Sequence, residues 1–475
     1  MPRLARLLST TLAAALPAVV SASLVVGSAP GAGAASTTPV RAATTATSAT
    51  TATTALAAAA RPNPVTPGDF TGHGFDQCVA PTQSMMDRWL DSSPFLAVGI
   101  YTSGASRGCR TQPNLTPTWV RTQLRKGWRL LPITLGPQAS CHPAFPRYGN
   151  DPTINPTPGA NNRYAAARKQ ARAQAATSVR DALALGLTPG STLWYDLEGY
   201  DSTNTRCRES ALAFLSAWTW TLHDLGWVSG VYSSAGAGIR DLDDARVRRP
   251  NAFTLPDAVW IARWDGIANT STSYLREDGW RPGGRVKQYR GDHTETWGGV
   301  SIPIDSNYLD LGRGSVAERE RHCDGVRIGY RSYVAVGPRS GSSRPRMVRA
   351  AQCLLTERGL YDGPVTGTFD EATGEAVRTW RARRSMPAGR SIGAAQWTSL
   401  LAAGPRPVVK VGSAGPAVRR LQRAINASGA AVVPPRGVFD TATGSALRSW
   451  QRAVGVQQSG VLTSSAWRLL QQGRR

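Results

Sequence analysis

Lysine is almost missing from this chain: only Lys126, Lys169, Lys287 and Lys410 are present, so its 55 basic residues are nearly all arginine. Five histidines lie scattered and no Cys-x-x-Cys pair occurs, which removes the usual spacing signatures of a zinc site. No Gly-x-Gly-x-x-Gly loop follows the first strand-like run, which argues against a dinucleotide-binding open sheet. Past the first residues, no apolar run reaches the roughly 20 residues a membrane-spanning helix needs. No adjacent arginine pair precedes the first apolar stretch, which favours general secretory export over the twin-arginine route.

What is present points outside the cell. Arg3 and Arg6, an apolar core from Leu12 to Val26 and the small residues Ala32-Gly33-Ala34 predict an export signal over 1–34. The Ala/Thr-rich stretch that follows has too few large apolar side chains to fold, and predicts a linker over 35–70. Six cysteines in an exported chain favour disulfides, with fifteen possible pairings. The expected set is Cys78–Cys109, Cys141–Cys207 and Cys323–Cys353. At 475 residues, the chain should hold about three domains.

From residue 71 short apolar runs alternate with helical stretches. Strands are predicted over 73–77, 96–101, 129–135, 192–198, 228–233, 258–263, 285–289 and 300–305, and helices over 83–91, 117–126, 163–185 and 209–225. Strict alternation over some 250 residues argues for α/β architecture, a parallel (β/α) TIM-like barrel at 71–322, with a doubly wound sheet as the alternative. The most informative stretch is Trp194-Tyr195-Asp196-Leu197-Glu198. Strand side chains alternate, so Asp196 and Glu198 share a face. Two carboxyls aimed at one point raise one pKa, the acid and carboxylate pair that glycosidic-bond hydrolysis needs. Asp76, Trp264 with Asp265, and Asp305 are also expected at strand C-terminal ends, the rim on which such barrels build active sites.

After a connector at 323–343, the tail repeats itself at an offset of 70 residues. Gln352 aligns with Gln422, Phe369-Asp370 with Phe439-Asp440, Trp380 with Trp450 and Trp397 with Trp467. Two small all-α three-helix domains are predicted, at 344–404 and 408–473. Each Asp of Gly-x-Phe-Asp reads as a helix N-cap, and the tryptophans read as core.

The tail signature, Val-x-x-x-Gln…Gly-x-Phe-Asp-x-x-Thr…Trp…Trp-x-x-Leu, resembles the peptidoglycan-binding three-helix domain. The second copy keeps Leu421-Gln422 and Trp450-Gln451, whereas in the first Ala351 replaces the Leu and Arg381 the Gln. Upstream, Gly74-Phe75-Asp76, Gly99-Ile100-Tyr101, the Asp196/Glu198 stretch, Ser229 to Ser234, Trp260 to Trp264, Gln288-Tyr289 and Ile304 to Asn307 resemble the secreted actinobacterial glycoside-hydrolase-like domain. That domain is distantly similar to Chalaropsis-type (family 25) muramidases. The resemblance implies Glu198 as general acid, Asp196 as substrate-orienting or charge-stabilising group, Asp76 and Asp305 completing an acidic floor, and Tyr101, Trp264, Asp265 and Tyr289 as substrate contacts. Gln77-Cys78 departs from the muramidase pattern, and a disulfide at Cys78 would sit beside the pocket.

The expected function is a secreted, cell-wall-associated hydrolase of peptidoglycan or a related wall glycan, with a non-catalytic glycan binder as the alternative. No metal or organic cofactor is expected. Residues 339–475 carry 21 Lys/Arg against 6 Asp/Glu, a net charge of +15. Export argues against nucleic acid as the partner, and anionic wall polymers fit better. A monomer that does not span a membrane is expected.

Overall fold

The computed structural model describes residues 62–143 and 151–475. The export signal and most of the 35–70 segment lie outside the described residues. Eight strands close into one barrel in sequence order: β1 (Phe70–Asp76), β2 (Ala97–Ser103), β3 (Arg129–Thr134), β4 (Thr192–Asp196), β5 (Val228–Ser234), β6 (Ala258–Ala262), β7 (Gly284–Trp297) and β8 (Val300–Leu311). Helices α1 (Gln83–Ser92), α2 (Pro117–Lys126), α3 (Ala165–Ala184), α4 (Thr205–Asp224) and α5 (Arg240–Arg248) join successive strands. α5 has no counterpart in the sequence reading. Leu131, Ile133, Trp194, Trp260 and Leu309 fill the barrel. The larger core lies outside it, where Tyr195, Phe214 and Trp218 pack the strands against the helices.

The barrel is not wholly parallel. β1 to β7 pair in parallel, but β8 runs antiparallel to both β7 and β1. The cause is local. Gly298 and Gly299, with φ of 58° and 78°, join Trp297 to its partner Val300 in a two-residue hairpin, too short for a crossover helix. The consequence for Asp305 is a correction: it sits inside β8 rather than at a C-terminal end. Antiparallel register still brings it to the rim, directly opposite Asp76.

The described end of the first predicted linker, and the 323–343 connector, are packed. Thr66 and Phe70 are fully buried, Phe70 opening β1 within the barrel. In the 323–343 connector Ile328 and Val336 are buried, Val336 exchanges two backbone hydrogen bonds with Ile392, and Cys323 is bonded to Cys353. Apolar side chains in an otherwise polar segment were enough to dock it.

The tail forms helices α6 (Pro345–Thr356), α7 (Glu371–Arg383) and α8 (Ala394–Ala402), then α9 (Pro416–Ser428), α10 (Thr441–Ala453) and α11 (Ser464–Gln471). Both copies use the same devices. Asp370 and Asp440 accept from the backbone N–H of Thr373 and Thr443, each at 2.8 Å. Gln352 and Gln422 clamp the turn before that cap, accepting from Gly367 and Gly437. Trp380, Trp397, Trp450 and Trp467 are core. Where Gln451 clamps Gly460 and Val461, Arg381 takes over by donating to the carbonyls of Pro387 and Ser391.

Lys410 ties the second copy to the barrel. Its buried ammonium donates to the carbonyls of Trp89 (3.3 Å), Ser93 (2.8 Å) and Phe95 (3.0 Å) at the C-terminal end of α1, and lies 5.5 Å from the Trp128 ring centre. That helix end attracts a cation. Burial nevertheless pulls the Lys410 pKa from 10.5 down to about 7, with Asp91 opposing. The unfolded chain therefore holds this proton more tightly, and stability should rise with pH between about 7 and the unfolded value. Relative to Lys410→Met, the parent should gain up to about 1.4 kcal/mol per pH unit there, read by urea unfolding at pH 7 and 9.5. A pH-independent difference would contradict this account of Lys410.

Candidate active site

A cleft of about 280 Å³ opens at the rim formed by the C-terminal ends of the parallel strands. Asp76 ends β1, Tyr101 comes from β2, Glu198 follows β4 and Asp305 comes from β8; all four line the cleft. Cys78 and Cys109 are joined and form part of its wall. All three expected disulfides are present. Asp76 fits because position 99 is glycine: a Cβ on Gly99 would lie 2.5 Å from the Asp76 Cβ.

Asp76 and Asp305 face each other across paired strands, and one amide serves both. Gln288 Nε2, from β7, donates to Asp76 Oδ2 at 3.1 Å and Asp305 Oδ2 at 3.2 Å. Its Oε1 accepts from the Tyr232 hydroxyl (3.0 Å) and the Trp264 indole N–H (2.9 Å). Asn307 Nδ2 donates to Asp76 Oδ2 at 2.6 Å while its Oδ1 accepts from Trp260 at 2.7 Å. Asp305 also accepts from the backbone N–H of Asp292 at 2.6 Å. Burial, then the Asp305 charge, pushes Asp76 up to about 7 despite the amide donors, with Glu198 adding to the rise. Burial raises Asp305 too, against the Asp292 N–H. The floor therefore keeps a proton near neutral pH.

On β4 the predicted alternation holds: Trp194 and Asp196 face inward, Tyr195 and Leu197 outward. Asp196 is buried beneath the cleft and accepts from the Tyr101 hydroxyl at 3.2 Å. Glu198 is half-buried at the cleft surface. Buried Gln138 holds the two in step, donating to the Asp196 carbonyl (2.7 Å) and accepting from the Glu198 N–H (2.9 Å).

The remaining expected contacts divide. Trp264 also lies outside the cleft lining; it is 60% exposed yet oriented, by its bond to Gln288 and by contact with Gly291, where a Cβ would come within 1.9 Å of the indole. Asp265 does not reach the cleft, because it pairs with the buried ammonium of Lys287 at 3.0 Å. Tyr289 follows Gln288 on β7 and lies outside the cleft lining, with Ser306 and Glu295 beside it. Sequence reasoning passed over Gln138, Gln288 and Asn307 as functional groups. For Asn307 a signal existed, since it lies two residues beyond Asp305 on one strand face.

Residues 87–309 match the model of the Rv2525c-like, glycoside hydrolase-like domain, and residues 414–470 that of a putative peptidoglycan binding domain. The chain carries a glycoside hydrolase-like domain and a peptidoglycan-binding domain. The second match falls on the second tail copy. No curated protein matches the chain. Among solved structures it is similar to an uncharacterized B. stearothermophilus protein, 18% identical over 50% of this chain and 95% of that one, with a TM-score of 0.33. It is similar also to the Mycobacterium tuberculosis Tat-secreted protein Rv2525c in complex with L-tartrate, 11% identical over 51% and 98%, TM-score 0.34. A family 25 glycosyl hydrolase from Bacillus anthracis is 14% identical over 50% and 89%, TM-score 0.29. TM-scores this low carry no functional argument.

In the glycoside hydrolase-like domain the raised Asp76 pKa has a stability signature. A native pKa above the unfolded 3.8 means that stability is greatest below that value and falls as pH rises through about 7. Asp76→Asn should therefore gain on the parent as pH rises from 4 to 8, by up to about 1.4 kcal/mol per unit. Calorimetric melts at both pH values check this, and a constant difference would refute the shift.

Proposed function

We propose that the chain is a secreted, wall-associated glycosidase that cleaves peptidoglycan or a related wall glycan. Its domains are those expected at 71–322, 344–404 and 408–473, with Thr66 to Phe70 joining the first and the 323–343 connector packing with the second. The observation that carries this reading is the cleft itself, where Glu198 stands half-exposed above buried Asp76 and half-buried Asp305, which face each other across paired strands and share the Gln288 amide. A protein that only binds a neutral sugar has no use for so costly an arrangement, since clustered buried carboxyls oppose one another.

In the proposed mechanism Glu198 protonates the glycosidic oxygen as the bond breaks. Positive charge then develops on the sugar ring, and the Asp76–Asp305 pair below stabilises it or polarises water. Asp196 acts through Tyr101, fixing its hydroxyl at the cleft wall. The pinned, exposed indole of Trp264 offers a stacking face for a sugar at the rim. The second tail copy supplies wall affinity, helped by the net positive charge of the tail, which favours anionic wall polymers and makes binding salt-sensitive. Among the described residues no helix is long and apolar enough to cross a membrane. A monomer acting on glycan, without nucleic acid as partner, completes the proposal.

Release of reducing sugar from purified peptidoglycan tests it. The parent should release sugar and Glu198→Gln should lose about a hundredfold or more in rate, with wall pull-down unchanged. If neither releases sugar while both bind the wall, the barrel is a glycan-binding domain instead.

A further inference from the structure

The peptidoglycan-binding match falls on the second tail copy and leaves the first without a ligand. Beside that first copy lies another cavity, of about 520 Å³, which shares no lining residue with the cleft. Arg346 and Arg349, from the first turns of α6, line it together with Asp324, Arg327 and Tyr330 of the connector. Three guanidiniums therefore stand around it with one carboxylate. Among the described residues none of the three makes an ion pair, and the side chains of Arg346 and Arg349 make no hydrogen bond.

The duplication supplies an internal comparison. Arg349 aligns with Arg419, and each lies against the glycine of its Gly-x-Phe-Asp turn: a Cβ on Gly367 would come within 3.1 Å of the Arg349 Cγ, and one on Gly437 within 2.8 Å of the Arg419 Cγ. In the second copy that arginine is already engaged. Arg419 Nη2 donates to the Ala317 carbonyl at 3.1 Å, and Arg419 and Arg423 close on the Glu320 carboxylate at 3.8 and 2.6 Å. The chain's own residues 317–320 thus bring an oxyanion to α9. In the first copy no described carboxylate closes on Arg349. Cys353, bonded to Cys323, stands where α9 has Arg423, and Arg346 stands where α9 has Pro416.

The walls of the cavity are tied together. The Tyr330 hydroxyl donates to the Arg346 carbonyl at 3.4 Å, and Asn426, from the second copy, donates to the Tyr330 carbonyl at 2.8 Å. The Cys323–Cys353 bond fixes the connector to α6 from the other side. Arg327 Nε donates to the Gly329 carbonyl at 3.0 Å, and its guanidinium carbon lies 5.0 Å from the Tyr330 ring centre. A carbonyl and a ring face orient that fork, and neither is a counter-ion.

We infer that this cavity is an oxyanion site of the first tail copy, taking a phosphate or carboxylate group carried on an anionic polymer. Asp324 offsets one of the three positive charges and leaves a local excess of two. Planar guanidiniums meet such groups with paired, charge-assisted hydrogen bonds. The two copies have then divided their work: the second takes glycan and the first takes charge. Two linked sites gain avidity on a wall that holds both. The inference does not depend on the chemistry proposed for the barrel.

The test titrates the full chain by calorimetry with poly(glycerol phosphate), with poly(glutamate) of matched length and with uncharged dextran. One variant combines Arg327→Gln, Arg346→Gln and Arg349→Gln. A control removes the same charge from exposed barrel arginines, through Arg88→Gln, Arg125→Gln and Arg172→Gln. The parent should bind a polyanion and not dextran. The cavity variant should lose about tenfold or more in affinity, while the control stays within about twofold of the parent. A loss confined to poly(glycerol phosphate) names phosphate as the group, a loss confined to poly(glutamate) names carboxylate, and a loss on both shows that either is taken; each upholds the site. Equal losses in the two variants, an unmoved cavity variant, or a parent that binds neither polyanion overturns it. Arg327→Lys, Arg346→Lys and Arg349→Lys together retain charge but not the fork and should fall between. Should the glutamine variant fail to fold, an unchanged affinity in this lysine variant overturns the inference. Glu198→Gln should leave every one of these affinities as in the parent, so the site and the glycosidase reading stand or fall separately.

Discussion

One amide between two carboxyls organises the rim of this barrel. Gln288 offers a single Nε2 to Asp76 and Asp305, and its Oε1 takes the hydroxyl of Tyr232 and the indole N–H of Trp264. A side-chain amide can donate two hydrogen bonds but brings no positive charge. It fixes where the two acids sit without cancelling their repulsion, so the excess is met by a proton. A lysine or arginine in its place would keep both carboxyls ionised. The same amide sets the angle of Trp264, so rim and floor are linked through one residue.

Strand direction makes that pairing possible. In a fully parallel barrel, acids at equivalent strand ends are spaced by the stagger of the sheet. Here a two-residue glycine hairpin reverses β8, and the antiparallel register places Asp305 directly across from Asp76. Cross-strand partners in such a pair hold their Cβ atoms roughly 4.5–5.5 Å apart. Asn307, one pleat further along β8, reaches the same Asp76 oxygen as Gln288. Closure of the barrel and assembly of the acidic floor are thus one event, and Lys410 adds the second tail domain by filling the exposed carbonyl end of α1.

Much of this was legible in the residues. The alternation of apolar runs located all eight strands, and the period of two in Asp196 and Glu198 foretold which side chains turn inward. The tail's duplication exposed its caps and core tryptophans because both copies repeat the same physical needs. What escaped were features set by partners far away in sequence. Gly298-Gly299 carried a hairpin signal, yet only pairing with β1 shows what the reversal does for Asp305. Asp265 follows Trp264 at a strand end, but the buried Lys287 draws it away from the cleft. Gln288 carried part of the resemblance, but that one amide serves both Asp76 and Asp305 shows only once the barrel closes around it.

The claim on which the rest depends is that the Asp76–Asp305 pair keeps a proton near neutral pH. Carbon-13 NMR of the protein labelled at its aspartate carboxyls, titrated from pH 3 to 9 with Asp76→Asn and Asp305→Asn to assign the signals, reads that proton directly. The account predicts one step near pH 7 that vanishes in Asp76→Asn and shifts downward in Asp305→Asn. Both signals titrating in the ordinary carboxylate range, with nothing left to ionise above pH 5, would contradict it.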